Sequence, residues 1–315
     1  MEPVRKELSQ VDADLKKVAR EATNSVGDFL CYAVEGRGKK IRPALTLLAG
    51  KSFSPDPALS IIMATAVELL HIATLIHDDM VDRSSLRWGR PTLSSLWGKD
   101  VAVLVGDYAF ARAATYVCDT SNVRAIRRFA ETILALSSGE LSELVQAYST
   151  GLTRQDYLGR ISNKTASLFA TAAECGAILS KAPEEWVQRF ADYGRSLGIA
   201  FQILDDILDF SGDSEEVGKP VGHDLRQGTL TLPTILLLER YPVDNPIARL
   251  FQKMEPEANL QEAIAMVQNS GVIEEAYAIA KGYCADAVRS LEGLPSPQLY
   301  SSLAGLAEYV LERRR

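Results

Sequence analysis

A chain of 315 residues, 47% hydrophobic and 24% charged, has the balance of a globular protein with a core of its own. Its net charge of -7 argues against nucleic acid as the main partner, because no basic excess exists to displace counterions from a phosphate backbone. Four scattered cysteines (Cys31, Cys118, Cys175, Cys284) without a Cys-x-x-Cys pair, and three histidines, argue against an ordinary zinc site or a disulfide scaffold.

The start, MEPVRKELSQVDADLKK, is too charged for a secretory signal, and no run of 18 apolar residues lacks a charge. A cytoplasmic protein with reduced thiols and no transmembrane segment is expected. Helical periodicity dominates, with no run of alternating strand residues. Helices are expected over 5–20, 24–35, 43–51, 57–83, 100–118, 123–149, 154–162, 164–180, 184–211, 231–241, 245–254, 258–269, 272–291 and 297–313. Pro43, Pro183 and Pro297 suit first helical turns, Thr153-Arg-Gln-Asp156 has capping-box character, and Gly212 suits a helix stop. Two loops remain, 84–99 and 212–230, each glycine-containing, carrying lysine and arginine, and directly behind an acidic group.

Those groups are Asp78-Asp79-Met80-Val81-Asp82 and Asp205-Asp206-Ile207-Leu208-Asp209. On a helix, i and i+4 share a face while i+1 lies about 100° away, so the first and last carboxylates can converge on one ion. Magnesium takes hard oxygen ligands and commonly joins one or two carboxylates to substrate phosphates. Both groups sit near the C-terminal end of a long predicted helix, where the macrodipole disfavours carboxylates that lack a cation. Each is set among apolar residues, IIMATAVELLHIATLIH before the first and FQILDDILDF around the second, where charge must be paired or metal-bound. A single group of this kind is as readily a solvated acidic face. Two copies, starting at 78 and 205 and each followed by a loop that carries lysine and arginine, favour a pair of magnesium-diphosphate sites.

With these motifs, from Gly38-Lys39-Lys40-Ile41-Arg42-Pro43 to the arginine-rich end, the chain resembles the trans-type polyprenyl diphosphate synthases. That family joins isopentenyl diphosphate to an allylic diphosphate, and the middle of this chain is similar to heptaprenyl diphosphate synthase catalytic subunits. The resemblance implies an all-α, single orthogonal helical bundle around a central cavity (isoprenoid synthase type), one domain over residues 1–315, and a homodimer. It implies that Asp78, Asp79, Asp82, Asp205, Asp206 and Asp209 hold Mg2+ on the allylic diphosphate, directly or through water. Arg87, Lys164 and Lys219 match its allylic diphosphate contacts, and Lys39, Arg42 and His71 its isopentenyl diphosphate contacts. Thr165 and Gln202, with Lys164, match the catalytic polar groups facing the developing carbocation. The departed diphosphate is the implied proton acceptor, so no side-chain base is sought. A peripheral membrane contact for product release is compatible with this picture.

Rival readings of the motifs are weaker. Gly38-Lys39-Lys40 lacks the glycine and the Ser or Thr of a P-loop, and Glu68-x-x-His71 lacks the second Glu-x-x-His of a di-iron bundle. Taken alone, His71 reads as a satisfied core histidine and Lys164-Thr165 as an ordinary helix start. The final arginines, Arg313 to Arg315, suit a frayed helix end. A class I terpene cyclase would share metal-triggered ionisation but not Lys39, Arg42 and His71. A non-catalytic partner subunit would usually have lost one acidic group.

Two departures from the family pattern stand out. Trp88 replaces the second arginine of Arg-Arg-Gly, and Thr229 stands where many relatives have lysine. Tryptophan offers neither charge nor a bidentate fork, so weaker binding of isopentenyl diphosphate is expected unless Arg37, Lys40 or Arg90 compensates. In this family, bulk just before the first aspartates stops elongation. Here those positions are Ala73 and Thr74, both small, with Leu70 one turn further as a lower floor. The expected product is about C25–C40, since small side chains leave unfilled volume between helices.

Overall fold

The computed structural model describes residues 2–22, 25–36, 38–211 and 221–312. They form an almost wholly helical protein, and the chain divides into two compact units. The first comprises Met1–Ile133, Leu168–Gly194 and Val288–Leu306; the second comprises Leu134–Ser167, Arg195–Ala287 and Ala307–Arg315.

In the first unit a short 3-10 turn leads into α1 (Arg5–Glu21), α2 (Ser25–Val34), α3 (Ile41–Gly50) and α4 (Pro57–Val81). The start of α4 is set locally: Pro57 occupies the first turn and the Asp56 carboxylate accepts from the Leu59 amide at 3.1 Å. Its sequence is apolar nearly all round, as befits a helix enclosed by neighbours. It packs on α6 (Lys99–Asp119), α3 and α1. Both α4 and α6 are long and apolar enough to cross a membrane, but 61% of the α4 apolar window is buried inside the protein.

The seam around the C-terminal half of α4 is built from small residues. Ala73 and Ile76 lie with Ala19, Ala22, Leu30, Leu93, Ala102, Val105 and Ala109, all buried. Gly106 of α6 leaves room for the His77 ring of α4: a Cβ there would stand 2.2 Å from its Nε2. A larger residue at 106 would displace the His77 ring, the far end of a half-buried side chain.

The segment expected as a plain loop, 84–99, has structure of its own. Leu86–Arg87 (β1) and Arg90–Pro91 (β2) pair antiparallel, and α5 (Leu93–Trp97) follows. Trp88 and Gly89 form the turn with φ of 50° and 74°, the two positive values of a type I′ hairpin. Thr92 caps α5 by accepting from Ser95 N at 3.3 Å. No strand was visible in the sequence because two paired residues are too few to show alternation.

α7 (Val123–Gln146) and α10 (Glu184–Ser211) divide between the units, while α9 (Ser167–Leu179) belongs to the first but for Ser167. In the second unit, α8 (Arg154–Ile161) begins with the expected capping box, Thr153 and Asp156 bonding each other's backbone amides. The break expected near Lys164 is absent: α8 runs directly into a π turn, Ser162–Ala166. α11 (His223–Arg226) falls within the second expected loop. It is followed by α12 (Leu232–Arg240), α13 (Pro246–Phe251), α14 (Pro256–Asn269) and α15 (Val272–Ser290), and then by α16 (Pro297–Leu311), most of which belongs to the first unit. α12 packs on α8 and α14, and α13 on α14. The expected helix stop at Gly212 lies outside the described residues.

Candidate active site

The first acidic group closes α4. Asp79 is buried and its Oδ1 accepts from Arg87 Nε at 2.7 Å, while Asp78 and Asp82 are half-buried. The i+1 carboxylate is therefore turned inward onto the hairpin, about 100° from the i and i+4 face. Arg87 is thus tied to the acidic group by β1, which begins only five residues after Val81.

The second group, on α10, has the same division. Asp205 is exposed, and Asp206 is buried with both oxygens bonded, Oδ2 by Tyr157 Oη at 2.6 Å and Oδ1 by Gln202 Nε2 at 2.8 Å. Burial pushes the Asp206 carboxyl up to about 7, against the lowering pull of those two hydrogen bonds. Burial and the carboxylate beside it hold the Tyr157 phenol well above its usual value, so it remains a donor. Asp209 accepts from the backbone amides of His223 (3.1 Å) and Asp224 (3.2 Å), caps α11, and so anchors the return of the chain after the loop.

Lys164 and Thr165 sit in the π turn, a distortion that commonly marks functional positions. Lys164 Nζ lies 3.0 Å from Glu140 Oε1 and 2.7 Å from Glu143 Oε1, both on α7. Gly139 makes this possible: a Cβ there would stand 2.6 Å from Lys164 N. Thr165 Oγ1 donates to Gln202 Oε1 at 2.6 Å. The buried Arg160 donates to the Leu230 carbonyl and lies 3.7 Å from Glu143.

In the first unit Arg42 and His71 meet, Nη1 to Nε2 at 3.0 Å, and the Arg42 guanidinium lies 4.4 Å over the Phe169 ring. Burial first, then the charges of Arg42 and Arg87, hold His71 well below its usual range. His71 is neutral, and because arginine can only donate, Nε2 is the acceptor and Nδ1 carries the proton. Buried Glu68, three residues before His71 on α4, is pushed up by burial against the pull of Lys40 and Arg42. Lys40 opens α3 in a left-handed conformation and pairs with Asp12, while Lys39 is exposed. Lys219 and Arg37 lie outside the described residues.

The elongation positions all lie on α4. Leu70 and Ala73 are fully buried, and Thr74 is half-buried with its hydroxyl on the His71 carbonyl at 2.8 Å. Of the two departures, Trp88 is 54% exposed, with its ring edge so near Gly36 that a Cβ there would stand 3.2 Å away. Thr229 is fixed by its amide to the Asp224 carbonyl at 2.9 Å. The preceding Gly228, φ 85°, leaves room for the Tyr148 ring.

Among the described residues no three His, Cys, Asp or Glu side chains already converge on one point as a closed metal cage. The donor set is all oxygen, with the outer carboxylates Asp78, Asp82 and Asp205 either exposed or half-buried.

Sequence reasoning missed Tyr157, Gly139, Glu140 and Glu143. The Gly-Glu-x-x-Glu run on α7 was the one available sign, since a glycine inside a long helix usually marks a close approach.

A nearly all-helical protein with paired i, i+1, i+4 aspartates, each backed by a fixed cation or polar chain, is of the isoprenoid synthase class. The sequence profile described as polyprenyl synthetase matches residues 23–267. Heptaprenyl diphosphate synthase component 2 of Geobacillus stearothermophilus is 35% identical over 310 residues, covering 98% of this chain and 96% of its own. A decaprenyl diphosphate synthase structure from Rhodobacter capsulatus superimposes with a TM-score of 0.92 at 36% identity, over 100% of this chain and 98% of that one. A polyprenyl synthase from Caulobacter crescentus CB15, complexed with calcium and isoprenyl diphosphate, gives 0.93 at 31%, over 100% and 97%. The chain belongs to the polyprenyl synthetase family and is a prenyl-transferring enzyme with that family's all-α fold.

Proposed function

We propose that this enzyme extends an allylic diphosphate with isopentenyl diphosphate units to an all-trans product of C35–C45. The observation that carries the reading is the matched division within each acidic group, an inward i+1 carboxylate locked by Arg87 or by Tyr157 and Gln202, with Asp78, Asp82 and Asp205 left towards the outside. These three are the proposed primary ligands of magnesium, with Asp79, Asp206 and Asp209 holding the arrangement. When bound, magnesium neutralises the leaving diphosphate.

Arg87, Lys164 and Lys219 bind the allylic diphosphate, and Lys39, Arg42 and neutral His71 bind isopentenyl diphosphate. The allylic C–O bond breaks with its electron pair leaving on the diphosphate. Thr165 and Gln202 present oxygens to the resulting allylic cation. The isopentenyl double bond forms the new C–C bond, and a proton lost to the departed diphosphate restores an alkene.

The length assignment is supported by small Ala73 on the α4 seam and by the heptaprenyl (C35) relative, while the decaprenyl (C50) one lies beyond it. It lies at and above the upper end of the range expected from the sequence. The enzyme is proposed to act in the cytoplasm as a homodimer, supported by exposed Leu134, Leu141, Leu144 and Val145 at helical spacing on α7. The word component in the Geobacillus relative's name favours a second reading, a catalytic subunit that needs a different partner.

The test is incubation of the purified protein with magnesium, isopentenyl diphosphate and allylic primers of graded length. Products should reach C35 or more. If no primer is extended by the protein alone, the self-sufficient reading fails and the two-component reading stands. If products stop near farnesyl length, the length assignment fails.

A further inference from the structure

Four side chains of the second unit form one unbroken hydrogen-bond chain that starts and ends on the same helical run. Tyr157 of α8 donates to Asp206, Asp206 accepts from Gln202, and Gln202 accepts from Thr165 of the π turn, at 2.6, 2.8 and 2.6 Å. Tyr157, Asp206 and Thr165 are 0%, 3% and 7% exposed. Water therefore competes little for these bonds.

The direction of every bond follows from chemistry. Asp206 accepts on both oxygens, from the Tyr157 hydroxyl and from the Gln202 NH2, so the Gln202 amide is turned with its NH2 inward and its carbonyl outward. The outward carbonyl can only accept, so the single proton of the Thr165 hydroxyl is committed to it. What remains on both groups is lone pairs. Neither Thr165 Oγ1 nor Gln202 Oε1 has a proton to offer a bound ligand.

The π turn is what closes the chain. Eight residues along an α-helix place side chains about 80° apart. A π turn absorbs one extra residue, so Tyr157 and Thr165 stand as if seven apart, about 20° from each other and on one face. An uninterrupted α-helix would carry Thr165 away from the Tyr157 side.

We propose that Tyr157 is a positioning residue for prenyl transfer, which acts through Asp206 and Gln202 to keep the Thr165 hydroxyl acceptor-only towards the allylic cation. This rests on the prenyl-transfer reading. Without the Tyr157 hydroxyl, Asp206 is held on one side only. It can then rotate, the Gln202 amide can flip, and a donor faces the cation that acceptors should surround.

The test is steady-state kinetics of Tyr157→Phe, alone and combined with Thr165→Val and Thr165→Ser. Product chains and prenyl alcohol are measured together, with thermal melting as the folding control. In the otherwise unaltered enzyme, Tyr157→Phe should lower kcat about tenfold. KM for both substrates and the magnesium concentration for half-maximal rate should stay within about twofold, and the share of allylic diphosphate hydrolysed to alcohol should rise. In the Thr165→Val background, where no hydroxyl remains to be oriented, Tyr157→Phe should change kcat less than about twofold; Thr165→Ser should restore the tenfold effect.

An equal loss of kcat in all three backgrounds would make Tyr157 merely structural and overturn the assignment. So would an unchanged kcat, or an effect seen mainly in the magnesium requirement. Absence of condensation by the unaltered enzyme, both alone and with the partner subunit of the two-component reading, would overturn the prenyl-transfer reading itself, and this assignment with it.

Discussion

A single methyl group at position 139 is a sensitive probe of how Lys164 and Thr165 are held. In Gly139→Ala the new Cβ would stand 2.6 Å from Lys164 N, 2.8 Å from its Cα and 2.9 Å from its Cβ. Ordinary contact begins at 3.4 Å, so α7 and the π turn must separate by roughly 0.8 Å. Overpacking of backbone against backbone costs about 1–3 kcal/mol, and alanine regains about 0.5–1 kcal/mol over glycine inside a helix. The net loss is about 1–2 kcal/mol, or a fall in Tm of about 2–6 °C for a chain of this size. Function should suffer more, because a displacement near 1 Å at reacting groups costs up to about 100-fold. The assay pairs a melting curve with incorporation of labelled isopentenyl diphosphate at saturating substrates. Gly159→Ala is the control, since a Cβ there meets nothing within 4 Å, and it should keep full activity with equal or higher Tm. If Gly139→Ala kept kcat within about twofold, the idea that this glycine seats the catalytic turn would be wrong.

Three further outcomes are expected. His71 is held neutral, so below about pH 6.5 the unfolded chain gains a proton that the native ring refuses, and stability falls by about 1.4 kcal/mol per pH unit until the depressed native value is reached. Urea titrations at falling pH should show a shallower acid slope for His71→Gln than for the wild type, and parallel slopes would refute the assignment. Ala73→Phe, in a fully buried seam, should destabilise by about 1–3 kcal/mol and shorten the product, as read by mass spectrometry; unchanged lengths would move the limiting wall elsewhere. Trp88→Arg restores a cation at an exposed hairpin tip beside Gly36 and should lower KM for isopentenyl diphosphate several-fold with KM for the allylic substrate unchanged. An unchanged KM would show that other cations already fill that role.

The parts of this architecture that were legible were those written locally. The Thr153 capping box, the Asp56-Pro57 start of α4 and the long apolar periodicity each depend on residues within a turn or two of one another. The inward rotation of Asp79 and Asp206 follows from 3.6 residues per turn and an apolar setting. What could not be read was set by partners far along the chain. The π turn depends on Gly139, more than twenty residues earlier, and on a polar chain that returns through α10. Nothing in Ser162-Asn-Lys-Thr-Ala166 distinguishes it from ordinary helix, so the sequence suggested a fresh helix start there. The hairpin at Trp88 escaped for a different reason, since a two-residue pairing with a bulky residue at positive φ contradicts turn preferences.

The π turn also bears on how such an enzyme could decay. Because it amounts to one inserted residue, loss of a single codon between Ser162 and Ala166 would let α8 run on as regular α-helix with its backbone bonds intact. Everything after the deletion would keep its register with its neighbours better than the residues within it. Lys164 and Thr165 alone would swing by about 100°. A folded, inactive relative is therefore one three-base deletion away, which offers a short route from catalyst to accessory subunit without passing through an unfolded intermediate.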